Sequence, residues 1–330
     1  MDLVPLSQSH SPSEESQPSE STATSTVGWT TTCELQNINF TKQNAFSGNP
    51  GQTPITFFNF FFEDDFLVMI CEKTNAQAAK LLGNTVLANS RINAWKELNI
   101  PELRIFLGLL FHMGFIQFKN YWKTNRLFSI TIFGRFMSRN RYLLIMICLH
   151  FSSETVIDPD PLYKIRSVID YFNQKMDSCY YPAKELSLDE SMVLWRGRLK
   201  FRQYIKNKKH KYGVKLYMLT ESDGLILKFR VYAGSQDIEV AGKGHAEKVV
   251  MQLMEKHLQN GHSLYMDNYY NSFHLAKRLL ENRTYCTGNL RKDLKENPKE
   301  VYQKNTEKKV KIYHVFKKVN TSESGKTNAQ

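Results

Sequence analysis

The sequence predicts an α/β fold in four consecutive parts. These are an unstructured tail over 1–53, a helical domain over 54–184, a mixed domain over 185–293 built β-β-β-α-β-α-β, and a basic tail over 294–330. Three observations carry this. Large apolar side chains are sparse before residue 54 and dense after it. They recur at helical spacing as far as about residue 170. From Glu185 the repeat becomes strict alternation, the period of a strand with one buried face.

The tail is rich in Ser, Thr, Pro and Gln, and its acids Asp2, Glu14, Glu15, Glu20 and Glu34 face only Lys42. Such a segment buries too little surface to offset its ordering entropy, so disorder is expected. Asp64–Asp65 ahead of Phe66, Val68, Met69 and Ile70 mark a helix start. Pro101 opens a second helix, with Leu103, Phe106, Leu107, Leu110 and Phe111 at helical spacing. A third covers Met137–Phe151, with Ser138 as its N-cap. His112 and His150 lie on apolar faces and read as core histidines rather than ligands.

Strands follow at Glu185–Trp195, Val214–Thr220 and Leu225–Tyr232. The last two are joined by Glu221-Ser222-Asp223-Gly224, whose Asp-Gly pair signals a hairpin. After Gly242–Gly244 comes an amphipathic helix, His245–Gln259, ended by Gly261. His262–Met266 is a short apolar strand stopping at Asp267, and Asn271–Ser272 cap a helix through Leu280. Thr284–Leu290 is the fifth strand, and Val310–Val315 is a candidate for one more.

Charge narrows the function. The chain carries +12 over 330 residues, and its acidic tail makes the body more basic still, which favours a polyanion: nucleic acid first, an anionic membrane second. No segment has the length of a membrane span or the form of a secretory leader, and no small-molecule substrate is indicated. Five widely spaced cysteines without a CxxC argue for a reducing compartment and against a zinc module. The positive charge peaks after the first strand. Arg196, Arg198, Lys200, Arg202, Lys206, Lys208, Lys209, Lys211 and Lys215 are nine cations in twenty residues with no acid among them. They form a candidate DNA-binding apron beside Asp189; a half-buried strand followed by a solvated basic loop is the alternative.

The strand–helix order is that of an incomplete ribonuclease-H-like fold. Its right-handed crossover sets the first and fourth strands side by side, so Asp189 and Asp267 meet at one site. Paired carboxylates suit Mg²⁺ rather than zinc, and two such ions clamp the attacking and leaving oxygens of a phosphoryl displacement.

The segment SLDESMVLWRGRLKFRQYIKNKKHKYGVKLYMLTESDGLILKFRVYAG resembles the first catalytic block of piggyBac-type transposases and their domesticated derivatives. LYMDNYYNSFHLAKRLLENRTYCTGNLRK resembles the second, and FFEDDFLVMICEKTNAQAA, ELRIFLGLLFHMGF and MSRNRYLLIMICLHF resemble the family's helical dimerisation and DNA-binding region. The resemblance implies DDE ancestry, with Asp189 and Asp267 as the first two metal-binding acids, Arg291 near target DNA, joining at TTAA targets, and nuclear residence. It also implies a third acid on a helix after an inserted domain. Asp293 is the only aspartate beyond Asp267 and precedes that insertion, so the expectation is a C-terminally truncated member lacking the third acid and the cysteine-rich zinc module. Three functions follow: a DNA-binding derivative without transposition activity, able to form a homodimer; a fragment of an active transposase; or a non-enzymatic dimerisation and interaction protein.

Overall fold

A computed structural model describes residues 29–30, 37–83, 87–115, 120–125, 130–152, 160–206, 211–234, 237, 239–291 and 316–317. The chain divides into two units: 1–37 with 298–330, and 38–297. In the first, strand β1 (Trp29–Thr30) pairs antiparallel with β10 (Phe316–Lys317). The candidate strand Val310–Val315 lies outside the described residues.

The second unit begins with β2 (Ala45–Phe46) and the helices α1 (Pro54–Phe61) and α2 (Asp64–Gly83). A 3-10 turn, Arg91–Ala94, leads to α3 (Ile100–Phe115), α4 (Thr131–Phe136), α5 (Arg139–Cys148) and α6 (Arg166–Cys179). Helix α1 was not apparent in the sequence, because its continuous aromatic run has no period. Thr53 and Thr56 form a capping box around Pro54 at its first turn. Ser138 caps α5 as expected, accepting from the Arg141 amide. The helices pack around Phe66, Leu67, Ile70, Leu103, Phe106 and Ile145. Arg141 ties α5 to α3 with two bonds to Glu102, at 2.7 and 2.6 Å, and lies over the Trp95 ring. His112 and His150 are half-buried structural side chains, against Phe133 and Ser152 respectively.

The strands are β3 (Tyr180–Tyr181), β4 (Glu185–Leu194), β5 (Gln203–Tyr204), β6 (Tyr212–Glu221) and β7 (Ile226–Val231). Then come α7 (His245–Met254), β8 (Ser263–Met266), α8 (Phe273–Glu281) and β9 (Tyr285–Gly288). The predicted order holds, with the short β5 added inside the basic run. The main sheet runs β5-β6-β4-β8-β9, with β7 also on β6. β4 is antiparallel to β6 and parallel to β8, as a crossover through α7 requires.

Alternation divides the sheet's faces. Leu186, Leu188, Tyr217, Leu219, Leu264 and Met266 point to a core closed by Val249, Val250 and Leu253 of α7 and Leu275 and Leu279 of α8. On the other face α6 covers the β6–β7 side, where Ile169 packs with Leu162, Phe201 and Val231. The same helix stacks Tyr171 on Phe66 at 3.8 Å, so it belongs to both cores. Its Asn173 side chain donates to the Phe229 carbonyl at 2.8 Å and accepts from the Phe229 amide at 2.9 Å.

The expected disorder does not extend to residue 53. Ile38 is 3% exposed, its amide donates to the Tyr285 hydroxyl, Phe40 packs edge-on to His262, and β2 pairs with β3. A few apolar anchors suffice here, and averaging over the polar tail hides them. Gly261 makes the strap fit. Its φ is +84°, and a Cβ there would lie 2.3 Å from the Asn39 carbonyl oxygen. Gly261→Ala is therefore expected to cost about 1–3 kcal/mol in urea unfolding. Gly108→Ala, in open space within α3, is expected to stabilise by about 0.5–1 kcal/mol.

Beneath the strap His257 is 5% exposed, and among the described residues neither ring nitrogen has a hydrogen-bond partner. Burial, then neighbouring His262, pushes its pKa down to about 4, with Lys228 and Lys256 adding and Asp177 opposing. His262 is lowered too, mainly by burial. The unfolded chain protonates His257 near pH 6.5, the folded chain only near 4, so the unfolded state binds more protons in between. Stability should fall by up to about 3 kcal/mol as pH drops through that window. His257→Leu should flatten the fall in urea midpoint between pH 7 and 4.5; an equal fall in both proteins would refute the assignment.

Candidate active site and nucleic-acid interface

The parallel register pairs Leu188 with Met266. The next residue on each strand is the predicted acid, so Asp189 and Asp267 stand abreast, about 5 Å apart at Cα. Leu188 and Met266 face the core, so alternation turns both carboxylates to the opposite, open face. Asp189 Oδ1 accepts from the Glu190 amide at 2.7 Å. Asp267 Oδ1 accepts from the Tyr269 amide at 2.8 Å, in an Asx turn that redirects the chain as β8 ends. Neither has an ion-pair partner among the described residues. Two exposed oxygen donors without a competing cation fit a hard divalent ion, which takes its other ligands from water and phosphate. Among the described residues no group of three or more His, Cys, Asp or Glu is arranged around a metal position.

Gly288 lets β9 approach this end of the sheet. A Cβ there would lie 2.2 Å from the Met266 carbonyl oxygen. The loop after Asp267 is braced by two cations. Arg291 donates through Nε to the Asn268 carbonyl at 2.9 Å and through Nη2 to the Tyr269 carbonyl at 3.2 Å. Its guanidinium lies 5.2 Å from the Tyr269 ring centroid, and the Lys215 ammonium lies 4.6 Å from the same centroid. Lys215 is only 9% exposed, so it is a core-side brace and not part of the basic apron counted from the sequence. Strand alternation turns it inward with Tyr217, a signal that a bare tally of cations overlooks. Tyr217 is itself held: its hydroxyl donates to His245 Nε2 at 2.7 Å, because His245 Nδ1 donates to the Val240 carbonyl. Burial raises the Tyr269 hydroxyl's pKa, which keeps the phenol neutral.

The other cations divide by environment. Arg196, Arg198 and Lys200 are exposed on the loop between β4 and β5 with no ion-pair partner among the described residues. Arg202 is exposed, donates to the carbonyls of Arg196 and Gly197 at 3.2 Å each, and lies over the Tyr212 ring. It shapes the loop that displays the other three. Lys206 and Lys211 are exposed. Lys208 and Lys209 lie outside the described residues. No helix among the described residues is long and apolar enough to cross a membrane. The described cysteines, Cys71, Cys148, Cys179 and Cys286, are all free.

The chain is similar to known proteins. The family model described as transposase IS4 matches residues 53–321. Human PiggyBac transposable element-derived protein 3 is 25% identical over 251 residues, 73% of this chain and 40% of that protein. Human PiggyBac transposable element-derived protein 2 is 25% identical over 250 residues, 72% of this chain and 40% of that one. The chain thus spans about 40% of the length of these relatives. Among solved structures, the cryo-EM piggyBac transposase synaptic complex with hairpin DNA superposes with a TM-score of 0.67 and 25% identity, over 77% of this chain and 54% of that one. Abreast acids on a ribonuclease-H-like sheet, a family match over most of the sequence and these relatives lead to one conclusion: the chain belongs to the transposase IS4 family, in its piggyBac-type branch.

Proposed function

We propose that this chain binds double-stranded DNA along the loop that follows β4 and, as residues 1–330, does not carry out transposition. One observation carries the binding: Arg196, Arg198 and Lys200 are exposed together, free of ion pairs among the described residues, on the loop that follows the strand bearing Asp189. Cations without an internal partner are available to displace counterions from a phosphate backbone. The solved relative is named as a complex with hairpin DNA, which supports the same partner. Nuclear residence follows from that partner. Exposed Leu110, Phe111 and Phe115 on α3 support self-association through the helical half.

Asp189 and Asp267 are the residues that would hold Mg²⁺. Bound there, the ion would polarise a phosphoryl oxygen and lower the pKa of water. Lys215, Tyr269 and Arg291 hold the Asp267 loop in place for that task. The resemblance puts the third acid on a helix after the inserted domain, and no aspartate follows Asp293 in these residues. Two carboxylates hold a metal pair poorly, and losing one member of a catalytic set costs orders of magnitude in rate. A second reading, in which these residues are part of a longer active transposase, is favoured by the share of its relatives that the chain spans.

Duplex affinity should fall steeply as salt rises. Replacing Arg196, Arg198 and Lys200 together by Ala should reduce the slope of log K against log salt by up to about three, roughly one for each phosphate no longer neutralised. Binding that ignores salt would instead favour a purely protein-interacting role. In a plasmid excision assay the 330-residue chain should give no Mg²⁺-dependent product; efficient excision would overturn the inactive assignment.

A further inference from the structure

Beside the basic loop lies a cavity of about 670 Å³ between the turn 160–165 and residues 195–201. That volume is within the range of ligand pockets, roughly 300–1,000 Å³. Its walls are Leu162, Trp195, Leu199, Phe201 and Val214, and its rim carries Lys164, Arg198 and Lys200. The one acid among the described residues that line it, Asp160, is engaged with the Leu162 amide at 2.9 Å and the Arg166 guanidinium at 2.7 Å. The pocket is therefore apolar and aromatic inside and cationic at its mouth.

Trp195 is 47% exposed, an unusual state for so large a ring. Its indole is set by packing on Gly197, where an added Cβ would fall 2.7 Å from Nε1. Alternation from Asp189 through Ser191 and Val193 puts Trp195 on the carboxylates' face of the sheet. Six residues at about 3.3 Å each separate them by roughly 20 Å. This spans about six base steps of a duplex lying along the strand.

We propose that this pocket receives an unpaired, unstacked nucleobase of the bound DNA, stacked on Trp195, while Lys164, Arg198 and Lys200 hold the flanking phosphates. The inference rests on the DNA-binding reading above. An aromatic wall accepts any base, because each has a π-face, and a cationic rim matches the phosphates on either side. Uncharged apolar partners are disfavoured by that rim. The base it holds is a flanking one, far from the phosphate that would face Asp189.

The test compares two duplexes of one sequence, fully paired and with a single bulged 2-aminopurine, binding the full chain. The wild type should favour the bulged duplex by about tenfold or more, with quenching of the probe on binding. Trp195→Ala should erase the preference while keeping paired-duplex affinity and its salt slope; Trp195→Phe should keep part of it. Equal affinity of the wild type for both duplexes, or a preference that survives Trp195→Ala, would overturn the pocket assignment alone. Binding to neither duplex would overturn the DNA-binding reading with it. An acidic peptide, Glu-Glu-Trp-Glu-Glu, that competes with the bulged duplex and loses affinity in Trp195→Ala would assign the pocket to protein and overturn the proposal.

Discussion

The parallel pairing of β4 with β8 is the constraint on which the rest of the molecule depends. Parallel neighbours need a long crossover, and α7 supplies it while closing the core beneath both strands. A slip of one residue on β4 would turn Asp189 into that core and Leu188 out to water. The burial of Leu186, Leu188, Leu264 and Met266 prevents the slip. Burying a leucine is worth about 1.5–3 kcal/mol, so a misaligned strand would forfeit several such increments and strand a carboxylate in an apolar interior. Core packing on one face thereby sets the position of two acids on the other.

The basic run shows how similar residues diverge once the backbone places them. On the loop after β4 the chain has no alternation to satisfy, and Arg196, Arg198 and Lys200 stay in water. Nineteen positions beyond Arg196, inside β6, the inward phase takes Lys215 to an aromatic wall, where the Tyr217 and Tyr269 rings receive its ammonium. Arg291 meets the same ring from the far end of the sheet and satisfies two carbonyls that the turn leaves over. Charge near the carboxylates is thus of two kinds, one offered to a partner and one holding the loop after Asp267.

Much of this was legible in the residues themselves. Alternation located β4, β6 and β7 within a residue or two, Asp-Gly located the hairpin, and the right-handed crossover brought Asp189 to Asp267. What escaped depends on packing between distant segments. The strap over residues 38–46 relies on Tyr285, His262 and β3, none of which is near it in sequence. The two-residue β5 has no pattern of its own and exists because Tyr204 and Gln203 pair with Tyr212 and Gly213. Lys215 and Arg291 share one ring only after folding, so no window of sequence contains that site.

Asn173 has a wider consequence. A strand at the margin of a sheet offers unpaired amides and carbonyls to any passing chain. Through one side chain amide, α6 supplies β7 with the donor and the acceptor that another strand would have offered at Phe229. That position is closed to templated growth at the expense of a single residue. Any assembly that this protein enters by strand addition along β7 must first displace its own helix, so this margin of the sheet is guarded against fibril-like association.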